Sequence, residues 1–217
     1  MPRSVSRNSI ISVLRALGRT YDWTALDRLS EEERNPFHAL IGTILSQRTR
    51  DEITDEAARR LFARFRTPEE LARARKSEIL PLIRACGFYR VKTDTIRRVA
   101  RLLIERHGGR VPETMDELTA LPGVGRKTAG CVLVYGFAKD AIPVDTHVHR
   151  ISNRLGWVRT KTPEETEIAL QKIVPRRYWR RVNDLLVSHG RTVCRPIGPR
   201  CGSCSAERWC AKAGVGN

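Results

Sequence analysis

Leu118-Thr119-Ala120-Leu121-Pro122-Gly123-Val124-Gly125-Arg126-Lys127-Thr128-Ala129 is the stretch on which the reading of this chain turns. A helical segment runs into Pro-Gly-Val-Gly, and a second helical segment begins at once. The two glycines permit positive φ and close approach of another backbone. The second helix then presents unpaired N–H groups and the positive end of its dipole, which suits a phosphate. A plain tight turn between helices is the bland alternative. The full Leu-Pro-Gly-Val-Gly-x-Lys-Thr-Ala string favours a helix–hairpin–helix element that binds nucleic acid, and its glycine spacing is too short for a Walker loop.

Outward from the hairpin, the chain reads as nearly all helix. Ser30-Glu31-Glu32-Glu33, Thr67-Pro68-Glu69-Glu70, Thr114-Met115-Asp116-Glu117 and Thr162-Pro163-Glu164-Glu165 each place Ser or Thr three residues before Glu. The hydroxyl is expected to accept from the N3 amide while Glu reaches back to the cap amide. Two of them have Pro at N1, where its missing N–H costs nothing. Asp51 is a further expected N-cap, for a helix over 52–65. Ile10, Ile11, Val13, Leu14 and Leu17 fall on one helical face, and Ile96, Val99, Leu102 and Leu103 on another that Gly108-Gly109 ends. The apolar, partly β-branched run Cys131–Phe137 follows the helix start at Arg126 and is read as buried helix.

The charge agrees with a polyanionic partner. Lys and Arg total 40 against 24 for Asp and Glu, a formal +16. Nucleic acid is the leading partner class and an anionic membrane surface the second. Basic pairs recur along the whole chain, as Arg59-Arg60, Arg97-Arg98, Arg126-Lys127, Arg176-Arg177 and Arg180-Arg181. That distribution fits a folded binding face better than a basic tail. No apolar run is long enough to span a membrane, and the segment 1–19 has no continuous apolar core of a signal peptide.

Two further motifs carry chemistry. In Pro143-Val144-Asp145-Thr146-His147-Val148-His149-Arg150, Asp145 follows a short loop and precedes a helical stretch over 148–155. Taken alone it is an N-cap aspartate. His147 and His149 stand at i,i+2, on different helix faces, so shared metal ligation is not expected. Near the C-terminus, Cys194, Cys201, Cys204 and Cys210 follow an x6, x2, x5 spacing, while Cys86 and Cys131 stand apart. Without a secretory signal, metal binding is favoured over disulfides. Zinc sites more often show two short cysteine pairs, and here there is one. Four thiolates in one loop suit a [4Fe–4S] cubane with one ligand per iron; by spacing alone zinc stays open.

The three motifs together, in this order and at these distances, resemble endonuclease III of the helix–hairpin–helix DNA glycosylase superfamily. The match rests on Leu121-Pro122-Gly123-Val124-Gly125-Arg126-Lys127-Thr128-Ala129, on Val144-Asp145-Thr146-His147 and on the complete cysteine spacing, and it covers nearly the whole chain. The resemblance implies an all-α, two-lobed helix–hairpin–helix DNA glycosylase fold with a C-terminal iron–sulfur cluster loop. Residues 29–139 would form a six-helix barrel domain ending in the hairpin. Residues 1–28 and 140–217 would form the cluster domain, with Cys194, Cys201, Cys204 and Cys210 holding [4Fe–4S].

The resemblance also implies a base-excision repair enzyme, both DNA glycosylase and abasic-site lyase. It would remove oxidised pyrimidines and cleave the abasic site by β-elimination through a lysine Schiff base. Lys127 would be the nucleophile and Asp145 its partner. Leu121, Gly123, Val124, Gly125, Arg126, Thr128 and His147 would meet DNA. The partner is double-stranded DNA bearing damaged bases or abasic sites. A monomer in a prokaryotic cytoplasm is expected, held near the nucleoid by DNA and with no membrane attachment. Adenine glycosylases of the superfamily lack the hairpin Lys and use an early Glu, whereas 36–50 here contains no acidic residue.

The early helix departs from the pattern. The family's gap-filling Gln falls at Arg48, with Gln47 one residue before, in a Ser46-Gln47-Arg48-Thr49-Arg50-Asp51 variant that looks like archaeal and thermophilic branches. Gln47 or Arg48 is expected to fill the space of a flipped base, and Phe88, in Gly87-Phe88-Tyr89, to wedge into the duplex; core burial is the alternative for Phe88. Two competing functions remain: a mismatch uracil/thymine glycosylase, and a non-catalytic DNA-binding module.

Overall fold

The structure, a computed structural model, describes residues 6–21 and 34–215. Every regular element among them is helical. In chain order these are α1 (Arg7–Thr20), α2 (Pro36–Ser46), α3 (Asp51–Arg64), α4 (Pro68–Arg73), α5 (Lys76–Ile79), α6 (Tyr89–His107), α7 (Met115–Thr119), α8 (Arg126–Cys131), α9 (Thr146–Arg154), α10 (Pro163–Ile173) and α11 (Trp179–Thr192). A π-helical turn, Val132–Gly136, continues α8, so the apolar run read as helix is helical and buried with a widened turn. No described helix is long and apolar enough to cross a membrane.

The chain divides into two compact units, Ser30–Lys139 and the paired ends Met1–Leu29 with Asp140–Asn217. In the first unit α2 packs against α3, α6, α8 and the π turn, and α6 also receives α4 and α5. Leu40, Ile41, Ile44 and Leu45 share one face of α2, and all four are buried, as are Leu61, Leu71, Ile79, Ile96, Val99 and Leu103. Each such side chain contributes roughly 1.5–3 kcal/mol. Counted with the single-turn α5, the unit holds seven helices among the described residues, and six without it.

In the second unit α1 packs on α11, and α9 lies against both α10 and α11. Its core joins Ile10, Val13, Leu14 and Leu17 of α1 to Val148, Ile151, Leu170, Leu185 and Leu186. Gly190 lets α11 and α9 meet closely, since a Cβ there would collide with the His147 ring and stand 3.0 Å from Ile151 Cδ1.

The helix starts follow the cap pattern with two corrections. Thr67, Thr114 and Thr162 each accept from the N3 amide, at 3.3, 3.3 and 3.2 Å. The reciprocal bond to the cap amide forms only at Thr67. Glu165 takes the Lys161 N–H one residue earlier, and Glu117 accepts from the Thr114 hydroxyl. Asp51 is the first residue of α3 rather than its cap; Arg50 occupies the cap position without a side-chain bond. As an acid in the first turn Asp51 still favours the helix dipole. The expected box at Ser30–Glu33 lies outside the described residues. Gly108 ends α6 in the left-handed region, with Gly109 N–H bonded to Leu103 O at 3.0 Å.

Candidate nucleic-acid interface and cysteine loop

The hairpin stretch forms α7, a turn and α8. Gly123 takes φ 74°, and a Cβ there would press on Thr95 Cγ2 at 2.8 Å. Leu121, Val124 and Thr128 are buried, so those three side chains anchor the hairpin; any contact they make with DNA is through their backbone. Gly123, Gly125 and Arg126 are exposed. Lys127 is the second residue of α8 and is half-buried, two residues after the exposed Gly125.

Beside the hairpin, two loops meet. Gln47, at the C-cap of α2, donates from Nε2 to Gly123 O at 2.9 Å and to Thr128 Oγ1 at 3.3 Å. Arg48 and Phe88 both take left-handed backbone, φ 52° and 58°, where bulky residues are rare. Phe88 is 61% exposed, so it is not core. The Arg48 guanidinium lies 5.6 Å from the centroid of its ring. Gln47, Arg48 and Phe88 thus line one open cavity with Val91 and Thr95.

Sequence reasoning missed Lys92 and Thr49, which tie these loops together. Lys92 is 5% exposed and bonds Leu45 O, Gln47 O and Thr49 Oγ1. The signal was present, because 92 precedes Ile96, Val99 and Leu103 on the buried stripe of α6.

In the other unit, Asp145 caps α9. Its Oδ1 accepts from the amides of His147 and Val148, at 2.8 and 2.9 Å. Burial pushes the His147 imidazole down; Asp145 opposes this, and Arg150 and Arg191 reinforce it. His147 Nδ1 lies 3.1 Å from Arg150 Nη2, whereas His149 Nδ1 meets Thr166 Oγ1 at 2.6 Å, so the two rings have separate surroundings.

Cys194, Cys201, Cys204 and Cys210 all line one cavity. Arg154 grips the loop from α9, donating to Arg195 O at 2.6 Å and Pro196 O at 2.8 Å. Arg150, one turn earlier, donates to Cys194 O at 3.0 Å. The sulfurs have nitrogen neighbours: Lys212 N–H donates to Cys210 Sγ at 3.4 Å, and Arg154 Nη1 lies 3.6 Å from Cys194 Sγ. His189 Nε2 is 3.4 Å from Cys204 Sγ, and its Nδ1 is 3.1 Å from the Tyr21 hydroxyl. Burial lowers His189 to about 4, so the ring is neutral near pH 7. Either neutral tautomer satisfies both contacts: Tyr21 donates to Nδ1 while Nε2–H donates to sulfur, or Nδ1–H donates to the Tyr21 oxygen while the Cys204 thiol donates to Nε2. Burial raises the Cys204 and Cys210 thiols, and neighbouring cysteines add to the shift.

The family described as HhH-GPD superfamily base excision DNA repair protein matches residues 41–176. The chain belongs to this superfamily. It is 52% identical to Endonuclease III of Thermotoga maritima over 181 residues, 83% of this chain and 85% of that protein. Endonuclease III of Bacillus subtilis is 37% identical over 81% of each chain. Endonuclease III homolog 2, chloroplastic, of Arabidopsis thaliana is 43% identical over 85% of this chain but 50% of that longer protein. Among solved structures, a trapped Endonuclease III–DNA covalent intermediate superposes with a TM-score of 0.83 at 35% identity, covering 95% of this chain and 96% of that one. A thermostable thymine-DNA glycosylase superposes at 0.82 with 25% identity, covering 95% of each. This HhH-GPD protein is therefore a DNA-binding enzyme of base excision repair, a glycosylase and abasic-site lyase of the endonuclease III type. The reading as a non-catalytic binding module is set aside.

Proposed function

We propose that the enzyme excises oxidised pyrimidines with Lys127 as nucleophile and Asp145 as its acid–base partner, acting as a monomer in a prokaryotic cytoplasm. The observation that carries the reading is half-buried Lys127 at the second position of α8, following the exposed hairpin glycines in the chain. The target nucleotide leaves the stack to be reached. The neutral Lys127 amine adds to C1′ as the glycosidic bond breaks, and the base departs with the bonding pair and receives the amine proton through Asp145. Ring opening at O4′, which takes a proton from water, gives a protonated Schiff base. This withdraws electrons, so a C2′ proton is lost and the 3′ phosphate leaves; water then releases the lysine. Asp145 takes up the amine proton and stabilises positive charge on the sugar. Gly123, Gly125 and Arg126, with the backbone of Leu121, Val124 and Thr128, hold phosphates, and His147 adds a contact from α9. Phe88 wedges into the duplex while Arg48 enters the vacated base position, since Gln47 is already bonded to the hairpin.

The cysteine loop fits a [4Fe–4S] cluster held by Cys194, Cys201, Cys204 and Cys210. The four thiols line one cavity. Four thiolates in one compact loop suit one ligand per iron, and the single short cysteine pair is less typical of zinc. The cluster, when bound, supplies cross-linking of the loop, and donors such as Lys212 N–H tune its sulfurs.

The test is borohydride trapping on abasic DNA. Lys127→Gln should lose the covalent adduct while still binding the duplex in a gel-shift assay. A full-strength adduct from the variant would move the Schiff base to another amine.

A further inference from the structure

Lys92 has no part in the chemistry above, yet its surroundings are specific. Its ammonium donates to Leu45 O at 2.6 Å, Gln47 O at 2.6 Å and Thr49 Oγ1 at 2.8 Å, which uses all three of its N–H groups. The two carbonyls belong to the C-terminal end of α2, where helical donors run out and the dipole is negative. Thr49 Oγ1 also accepts from Gly87 N–H at 3.1 Å and donates to Gln47 O at 3.3 Å, so the hydroxyl is saturated too. The approach of the two loops at Gly87 is tight: a Cβ there would stand 2.6 Å from Arg48 O.

One buried cation therefore fixes positions 45, 47 and 49 and, through Thr49, the turn before Phe88. Arg48 is the residue left between the anchors, and it is held in left-handed backbone, as is Phe88 across from it. Neither residue would choose that conformation in a free loop. Burial also lowers the Lys92 pKa, opposed by Cys86, which is the expected strain of a cation held by neutral oxygens.

We propose that Lys92 is a positioning residue for opposite-base recognition: it clamps the loop between α2 and α3 and so presents Arg48 and Phe88 to the duplex. The proposal rests on the reading that these two residues enter the DNA. A lysine that merely capped α2 would stabilise the helix without influencing which base opposite the lesion is preferred.

The experiment measures single-turnover excision of one lesion placed opposite G and opposite A, and reports the ratio of the two rates. A general loss of activity cancels in that ratio. The full chain is compared as wild type, Arg48→Ala, Gln47→Ala, Lys92→Met and Thr49→Val, with the double variant Lys92→Met/Arg48→Ala. Lys92→Met should bring the ratio to within about twofold of the Arg48→Ala value, and the double variant should change it no further, as coupled sites do. Thr49→Val should move it the same way by less. A wild-type ratio in Lys92→Met, beside a changed one in Arg48→Ala, would overturn the proposal and leave a helix cap. If Lys92→Met does not fold, Thr49→Val decides, and an unchanged ratio there overturns it. If neither Arg48→Ala nor Gln47→Ala alters the ratio, the reading of the loop fails and the proposal goes with it.

Discussion

At the start of α9, two backbone amides converge on Asp145 Oδ1, so capping engages one carboxylate oxygen and Oδ2 stands outside the cap. Cap and chemistry can then be separated by Asp145→Asn. The amide oxygen accepts the same two bonds, so unfolding free energy should change by less than about 1 kcal/mol. Loss of the carboxylate should slow single-turnover excision by roughly 100- to 10,000-fold. Near-normal excision beside a normal melt would reduce Asp145 to a cap. The places of Lys127 in the second hairpin helix and of Asp145 as a helix cap were legible in the sequence because each sits in a string of fixed spacing. Lys92 was not, because a helical lysine reads as solvent-facing unless its register with Ile96, Val99 and Leu103 is followed. The left-handed backbone at Arg48 and Phe88 could not be read at all, since it is imposed by long-range bonds through Thr49 and Lys92 against local preference.

Among the elements, α2 carries a titratable probe of its own burial. His38 stacks on Phe62 at 3.9 Å, and burial pushes its imidazole below the ordinary value of 6.5, with the Arg66 backbone opposing. Below about pH 6.5 the unfolded chain takes up a proton that the folded chain resists. Stability from this group is therefore full above pH 6.5 and falls as pH drops toward the lowered folded value. His38→Phe keeps the stacking and removes the proton, so its urea midpoint should fall less than that of wild type between pH 7.5 and 5.5. Equal slopes would show that the ring titrates normally. The helices themselves were largely readable from caps and apolar spacing. The π turn over Val132–Gly136 was not, because periodicity cannot resolve one extra residue in a run that is apolar throughout. Nor was the start of α3, where Asp51 satisfies both the cap and the first-turn preference.

For the whole molecule, the formal +16 already subtracts every acid, and it is the gross count of 40 Lys and Arg that overstates the cations free to meet DNA. Arg59 and Arg60 both pair with Glu56, and Arg176 and Arg180 both pair with Asp140. Basic doublets counted from sequence are thus partly neutralised by acids that only the fold brings alongside. Enough cation remains for a steep salt response: affinity for duplex DNA should fall by roughly a thousandfold between 50 and 200 mM salt if six or more phosphates are met. A flat plot of log K against log salt would place DNA on another face. The gathering of the four cysteines at one cavity was legible from their spacing, but Arg150, Arg154 and His189 around it were not, being drawn in from α9 and α11. Metal analysis of the purified protein should give about four irons and four sulfides per chain with a yellow-brown colour. One zinc per chain and no visible absorbance would overturn the cluster.

The helix α9 has nine residues, which makes it a rod about 13 Å long. Asp145 closes one end of that rod, and at the other Arg154 holds the backbone of the cysteine loop. A rod with a fixed grip at one end behaves as a lever. Whatever slackens the loop, by oxidation or by proteolysis, removes one grip on that rod and leaves its aim to the packing against α10 and α11. With Asp145 in the role proposed above, damage at the loop would then slow the enzyme mechanically, by loosening the aim of a carboxylate whose own chemistry is intact.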